Sequence, residues 1–140
     1  MDDADRFPLA VVYAALILLG GVLGIWGAFL VPLRLPGGIE GLADVIAVGG
    51  NLVVGVLAAR STRTVQAAAM PGLGWLVAVL LVLTVVRPAD EVIIPGRIPS
   101  DPGIGPVGTL FLLGGAVGAV VAVLLAGRFT RGAGPPTPQG

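Results

Sequence analysis

The run Leu9–Leu30 limits the fold more than any other feature: twenty-two consecutive residues carry no charge. A helix of that length covers the ~30 Å hydrocarbon core of a bilayer at about 1.5 Å per residue. The lead before it, Met1–Arg6, holds Asp2, Asp3 and Asp5, which suits a signal-peptide n-region poorly. The apolar run also exceeds the roughly 7–15 residues of a signal-peptide core. It reads as an uncleaved first span.

Three further apolar runs follow, at about Gly41–Ala59, Leu73–Val86 and Val107–Ala126. The expected fold is an all-α membrane protein with four transmembrane helices. Residues 1–131 would form one four-helix domain. Gly132–Gly140, with Pro135, Pro136 and Pro138, would be a disordered tail. Composition agrees: 56% of the 140 residues are apolar and only 11% are charged. Soluble domains carry about a quarter charged residues. Mean hydropathy is +1.01.

Punctuation between the runs is clear. Pro32, Pro36, Gly37 and Gly38 stop the first helix, and Arg34 and Glu40 mark that turn as solvated. The second span has a short uncharged stretch. Asp44 and Arg60 bracket residues 45–59, or ~22 Å of helix. Asp44 must therefore sit at an interface, thin the bilayer, or be covered by a neighbour. Arg60–Gln66 reads as a polar link, and Pro71-Gly72 as a break that starts the third span at Leu73. Trp26, Phe29, Tyr13 and Trp75 stand near span ends, where aromatic side chains anchor at the membrane surface. A long connector, Arg87–Pro106, precedes the fourth span; Pro88, Pro95, Pro99 and Pro102 disfavour helix there, and Val92–Ile94 could form a short strand.

Orientation follows from arginine. Four spans put Arg6, Arg60, Arg63, Arg128 and Arg131 on one side and Arg34, Arg87 and Arg97 on the other. The positive-inside rule assigns both termini to the cytoplasmic side.

Several functions are disfavoured by residue type. The chain has no Cys and no His, and its eight basic residues are all Arg. That removes thiolate chemistry, the commonest metal ligand, His-based proton transfer and Schiff-base formation. No cofactor or metal is expected. Zero net charge without a basic cluster argues against nucleic acid as a partner.

In lipid, helices associate by close van der Waals fit, which small residues allow. Gly20 and Gly24 in the first span, Gly55 in the second, and Gly114 and Gly118 in the fourth supply such faces. The third span, mostly Leu and Val, is expected to be the one most exposed to lipid. Asn51 is the strongly polar residue deep in a span. It could form an interhelical hydrogen bond worth about 1 kcal/mol, or contact a substrate or ion. Thr84 and Thr109 can bond to their own helix. Asp90 and Glu91, beside Arg87 and Arg97, fit a solvated salt-bridge cluster, an acid–base or cation site, or a docking loop for another protein.

Three segments are more specific than hydropathy: Pro71-Gly-Leu-Gly-Trp-Leu-Val-Ala-Val, Val86-Arg-Pro-Ala-Asp-Glu-Val-Ile-Ile-Pro-Gly96 and Leu110-Phe-Leu-Leu-Gly-Gly115. In these the chain resembles a family of uncharacterised small actinobacterial membrane proteins. Their genes often lie near the deacetylase gene of mycothiol biosynthesis. The resemblance implies four spans and a bacterial cytoplasmic (inner) membrane, and supplies no catalytic residue. The expectation is a non-enzymatic accessory or structural subunit, with lipid and a larger membrane protein or a second copy as partners. The alternative is an oligomeric transporter or pore. Proton-coupled exporters of this size need a carboxylate inside a span, and Asp44 lies only near a boundary.

Overall fold

The computed structural model describes residues 8–31, 41–85 and 104–131. They form four helices: α1 (Leu9–Leu30), α2 (Leu42–Thr62), α3 (Val65–Val85) and α4 (Ile104–Arg131). All four are long and apolar enough to cross a bilayer. The start of α1, the α2–α3 turn and the end of α4 share one end of the bundle. There Tyr13 Oη meets Thr64 Oγ1 at 3.1 Å, and the Arg60 guanidinium lies 4.6 Å from the Phe129 ring centre.

Each helix boundary has a local cause. α1 follows Pro8, whose carbonyl accepts from Val11 N–H at 2.7 Å. α2 is preceded by its cap residue Gly41, in a left-handed conformation (φ 98°) that a side chain would strain. It runs on to Thr62, past the expected Ala59, and Thr62 Oγ1 donates to the Ala58 carbonyl at 2.8 Å. The expected seven-residue link shrinks to Arg63 and Thr64, with Arg63 itself left-handed (φ 55°). α4 begins at Ile104, inside the expected connector. Pro106 falls in its first turn, where the missing N–H leaves no bond unmade. α4 also continues beyond Ala126 to Arg131.

The larger correction concerns α3. It starts at Val65, not Leu73, and passes through Pro71 without ending. Proline deprives the Ala67 carbonyl of its helical donor. Both residues are fully enclosed by neighbouring helices, the setting in which membrane helices tolerate proline. The added turns carry Ala67, Ala68, Pro71 and Gly72, all buried. α3 is thereby the most buried helix, with half of its apolar window inside the bundle against 11% for α1. The expectation that this span faces lipid is overturned.

Contact with α3 is close. A Cβ on Gly20 would run into the Pro71 carbonyl, and one on Gly74 into the Ile17 carbonyl. The α1 and α3 backbones therefore touch through reciprocal glycines, where Cα–H groups can face carbonyl oxygens. Gly24 adds a third such contact, 2.9 Å from its Cβ position to the Trp75 carbonyl. Trp75, Val79, Val82, Phe111, Ala28, Val31, Ala43 and Ala47 make the main core, and Ala59, Ala68 and Ala126 a smaller cluster.

Gly74→Val should destabilise the bundle by about 3 kcal/mol, the upper part of the overpacking range. Gly49 has nothing within 4 Å of its Cβ position. Gly49→Ala should therefore be neutral or stabilising by up to ~1 kcal/mol. Unfolding in detergent mixtures, followed by helical signal, measures both.

Candidate functional site: a polar centre between three helices

One stripe of α2 is buried along its length: Ala43, Ala47, Asn51, Gly55 and Ala59, each four residues from the next. Four of the five are small, so α3 and α4 can close over the one that is polar. Gly55 lies between α3 and α4, with its Cβ position 2.8 Å from the Ala68 carbonyl and 2.7 Å from Ala122 Cβ. Gly118 of α4 presses on the Val48 backbone, 2.6 Å from Cβ position to carbonyl, and Gly114 on a Val48 methyl at 2.8 Å.

Asn51 is 1% exposed. Its Nδ2 donates to the Gly115 carbonyl of α4 at 3.4 Å, near the limit for a hydrogen bond. Its Oδ1 is buried with no partner among the described residues. The Trp75 indole of α3 is in the same condition: the residue is 2% exposed and its Nε1 has no acceptor among the described residues. Trp75 was expected as an interfacial anchor. It is instead a core residue, tilted at 56° against Phe111 with ring centres 5.5 Å apart. Two glycines make room for this pair. A Cβ on Gly27 would come within 2.5 Å of Phe111, and one on Gly115 would collide with the indole six-membered ring.

Asp44 lies in the first turn of α2, where the positive end of the helix favours a carboxylate. Its Oδ2 is 3.5 Å from the Cβ position of Gly41, and its Oδ1 is buried without a partner among the described residues. It is about 24 Å along the helix from Arg60. The side chains of Arg60, Arg63 and Arg128 are exposed at the other end.

Of the residues singled out from sequence, Asn51, Gly55, Gly114 and Gly118 meet at the contacts of α2 with α3 and α4. Gly20 and Gly24 pack on α3. Arg87, Asp90, Glu91, Arg97 and the tail 132–140 lie outside the described residues, as does the strand considered for Val92–Ile94. Trp26 and Phe29 are exposed on α1, and Tyr13 tethers α1 to the α2–α3 turn. Thr84 bonds to its own helix, at the Leu80 carbonyl, 2.8 Å away. Pro71, Gly74, Trp75, Phe111 and Gly115 were not singled out as site residues. A signal existed for Trp75: Pro71, Gly72, Gly74 and Ala78 surround it with the small groups that mark a contact face. Among the described residues no three His, Cys, Asp or Glu side chains gather.

The model of a family of unknown function, DUF6113, matches residues 4–139. The chain belongs to this family. Neither a curated protein nor a solved structure matches it. It is a small multi-pass membrane protein of an uncharacterised family, built on the three-helix centre just described.

Gly115→Ala should cost about 2–3 kcal/mol because the enclosed indole has nowhere to go. Gly114→Ala displaces only a Val48 methyl and should cost less than ~1 kcal/mol. The same detergent unfolding assay ranks the two, and a reversed order would contradict this packing.

Proposed function

We propose that this protein is a non-enzymatic accessory subunit that docks a transmembrane helix of a larger membrane protein in the groove between α1 and α3. The supporting observation is the groove itself. It holds about 560 Å³ and is lined almost wholly by apolar atoms. Gly21, Gly74 and Ala78 lie in its lining, between Leu18, Val22, Ile25 and Phe29 of α1 and Val77 and Leu81 of α3. Close approach over small residues is how helices associate in lipid, where apolar surface alone gives no drive.

The same reading places the protein in the cytoplasmic membrane of a bacterium, with both termini inside. Support is the clustering of Arg60, Arg63 and Arg128 at the end where α1 starts and α4 finishes. An actinobacterial source, and a gene neighbourhood shared with mycothiol biosynthesis, belong to this proposal through the sequence resemblance. A pore is less well supported: Asn51 turns onto Gly115 and is closed off by packing.

Gly21→Leu tests the docking. Its Cβ position has only ordinary contacts, 3.7 Å to the Gly74 carbonyl and 3.9 Å to Ala78 Cβ, so the bundle should tolerate the change. A partner co-purified in gentle detergent should fall at least about tenfold while helical content and melting stay unaltered. A monodisperse monomer that retains no partner even without the substitution would remove the proposal.

A further inference from the structure

A helix satisfies its own backbone in lipid, but a buried side-chain amide or indole must find its partner elsewhere. An asparagine amide offers two N–H donors and an oxygen with two lone pairs; an indole offers one N–H. In this bundle Asn51 makes one long bond to the Gly115 carbonyl. Its oxygen is left over, and so is the indole N–H of Trp75. The two unpaired groups are complementary, one an acceptor and one a donor. Asp44 Oδ1, the other buried unpaired oxygen among the described residues, is seven residues before Asn51, in the first turn of α2.

Both groups lie against one residue. Asn51 reaches the carbonyl of Gly115, and Trp75 Cε2, the ring carbon bonded to Nε1, is 2.6 Å from the Cβ position of that same glycine. The amide orientation is set by chemistry. Turning it over would place Oδ1 against the Gly115 carbonyl, acceptor to acceptor. Asn51 and Trp75 thus both lie against Gly115, and their unpaired polar atoms do not bond to each other.

We propose that Asn51, Trp75 and Gly115 form a binding site for one internal water molecule, which accepts the Trp75 N–H and donates to Asn51 Oδ1. Such a water satisfies both groups and ties α2 to α3 across α4. Buried waters in proteins have this role, with two to four polar partners each. The enclosing side chains hold it in place, so it exchanges slowly compared with surface water. The site is separate from the groove between α1 and α3 and does not depend on any partner.

The test is magnetic resonance on the full chain in detergent micelles, with ¹⁵N-labelled tryptophan. Trp26 is exposed on α1, and Trp26→Phe leaves Trp75 as the single indole. Its N–H should show a cross-peak to water with opposite signs in laboratory-frame and rotating-frame experiments, the mark of a long-lived bound water. Asn51→Leu should reduce that peak several-fold and move the indole proton upfield. No water cross-peak in the folded Trp26→Phe protein would overturn the proposal. So would a peak unchanged by Asn51→Leu, or an indole shift that depends on Asn51 without any water peak, which would mean a direct bond. The first measurement alters only an exposed residue, so the proposal stays testable even if Asn51→Leu does not fold.

Discussion

The bundle depends on backbone meeting backbone between α1 and α3. Gly20 faces the Pro71 carbonyl and Gly74 faces the Ile17 carbonyl, and neither contact leaves room for a methyl group. In water, apolar side chains would drive such helices together. In lipid that drive is absent, because hydrocarbon outside is as good a neighbour as hydrocarbon inside. Dispersion contacts at short range must do the work, with Cα–H···O contacts contributing about 0.5–1 kcal/mol each. The same device recurs where Gly55 meets Ala68 and where Gly118 meets Val48. Each helix is thus held by a glycine against another helix's carbonyl.

Close backbones leave little interior for large side chains, and this bundle admits few. Trp75 and Phe111 fill the centre, each in space made by a glycine on another helix, Gly115 and Gly27. The arrangement puts the Trp75 indole and the Asn51 amide against the same residue, Gly115. Buried polar groups in a low-dielectric medium act over short range and strongly, so they set register as well as adding stability. Asn51 binds α2 to one residue of α4, which fixes how far the two helices slide past each other. The outer surface is simpler. α1 presents Leu18, Val22, Ile25 and Trp26 outward, and the glycine-containing groove beside α3 interrupts that surface.

Hydropathy was enough to find the spans, because lipid demands a long uncharged run from any helix that crosses it. α1 has the bounds read from the apolar run, Leu9–Leu30, and stops just before Pro32. Boundaries failed where polar residues stayed helical, as at Ser61, Thr62 and Arg128, since helical backbone bonds do not require lipid around them. Asn51 was legible as the polar residue inside a span, but its neighbour Trp75 was not. Taken alone, a tryptophan near a proline resembles a membrane-surface anchor. Its burial depends on α1 and α4 closing over it.

Local rules misplaced α3 most. Pro71-Gly72 is a strong break signal when only the chain around it is considered, and counting the helix from Leu73 discarded Ala67 and Ala68 from its contact face. Enclosure by neighbouring helices reverses that judgement, because the proline ring packs and the opened backbone is shielded from lipid.

From residue order alone came the four helices of the described residues, the length of the first, and the absence of Cys and His side chains. These follow from composition and from the length of the uncharged apolar runs. Which helix stands at the centre, and which polar groups come together there, was decided by tertiary packing. The reason is that in lipid every helix has an apolar surface all round, so the pattern that marks an inward face in soluble proteins is missing, and only shape complementarity between helices selects it.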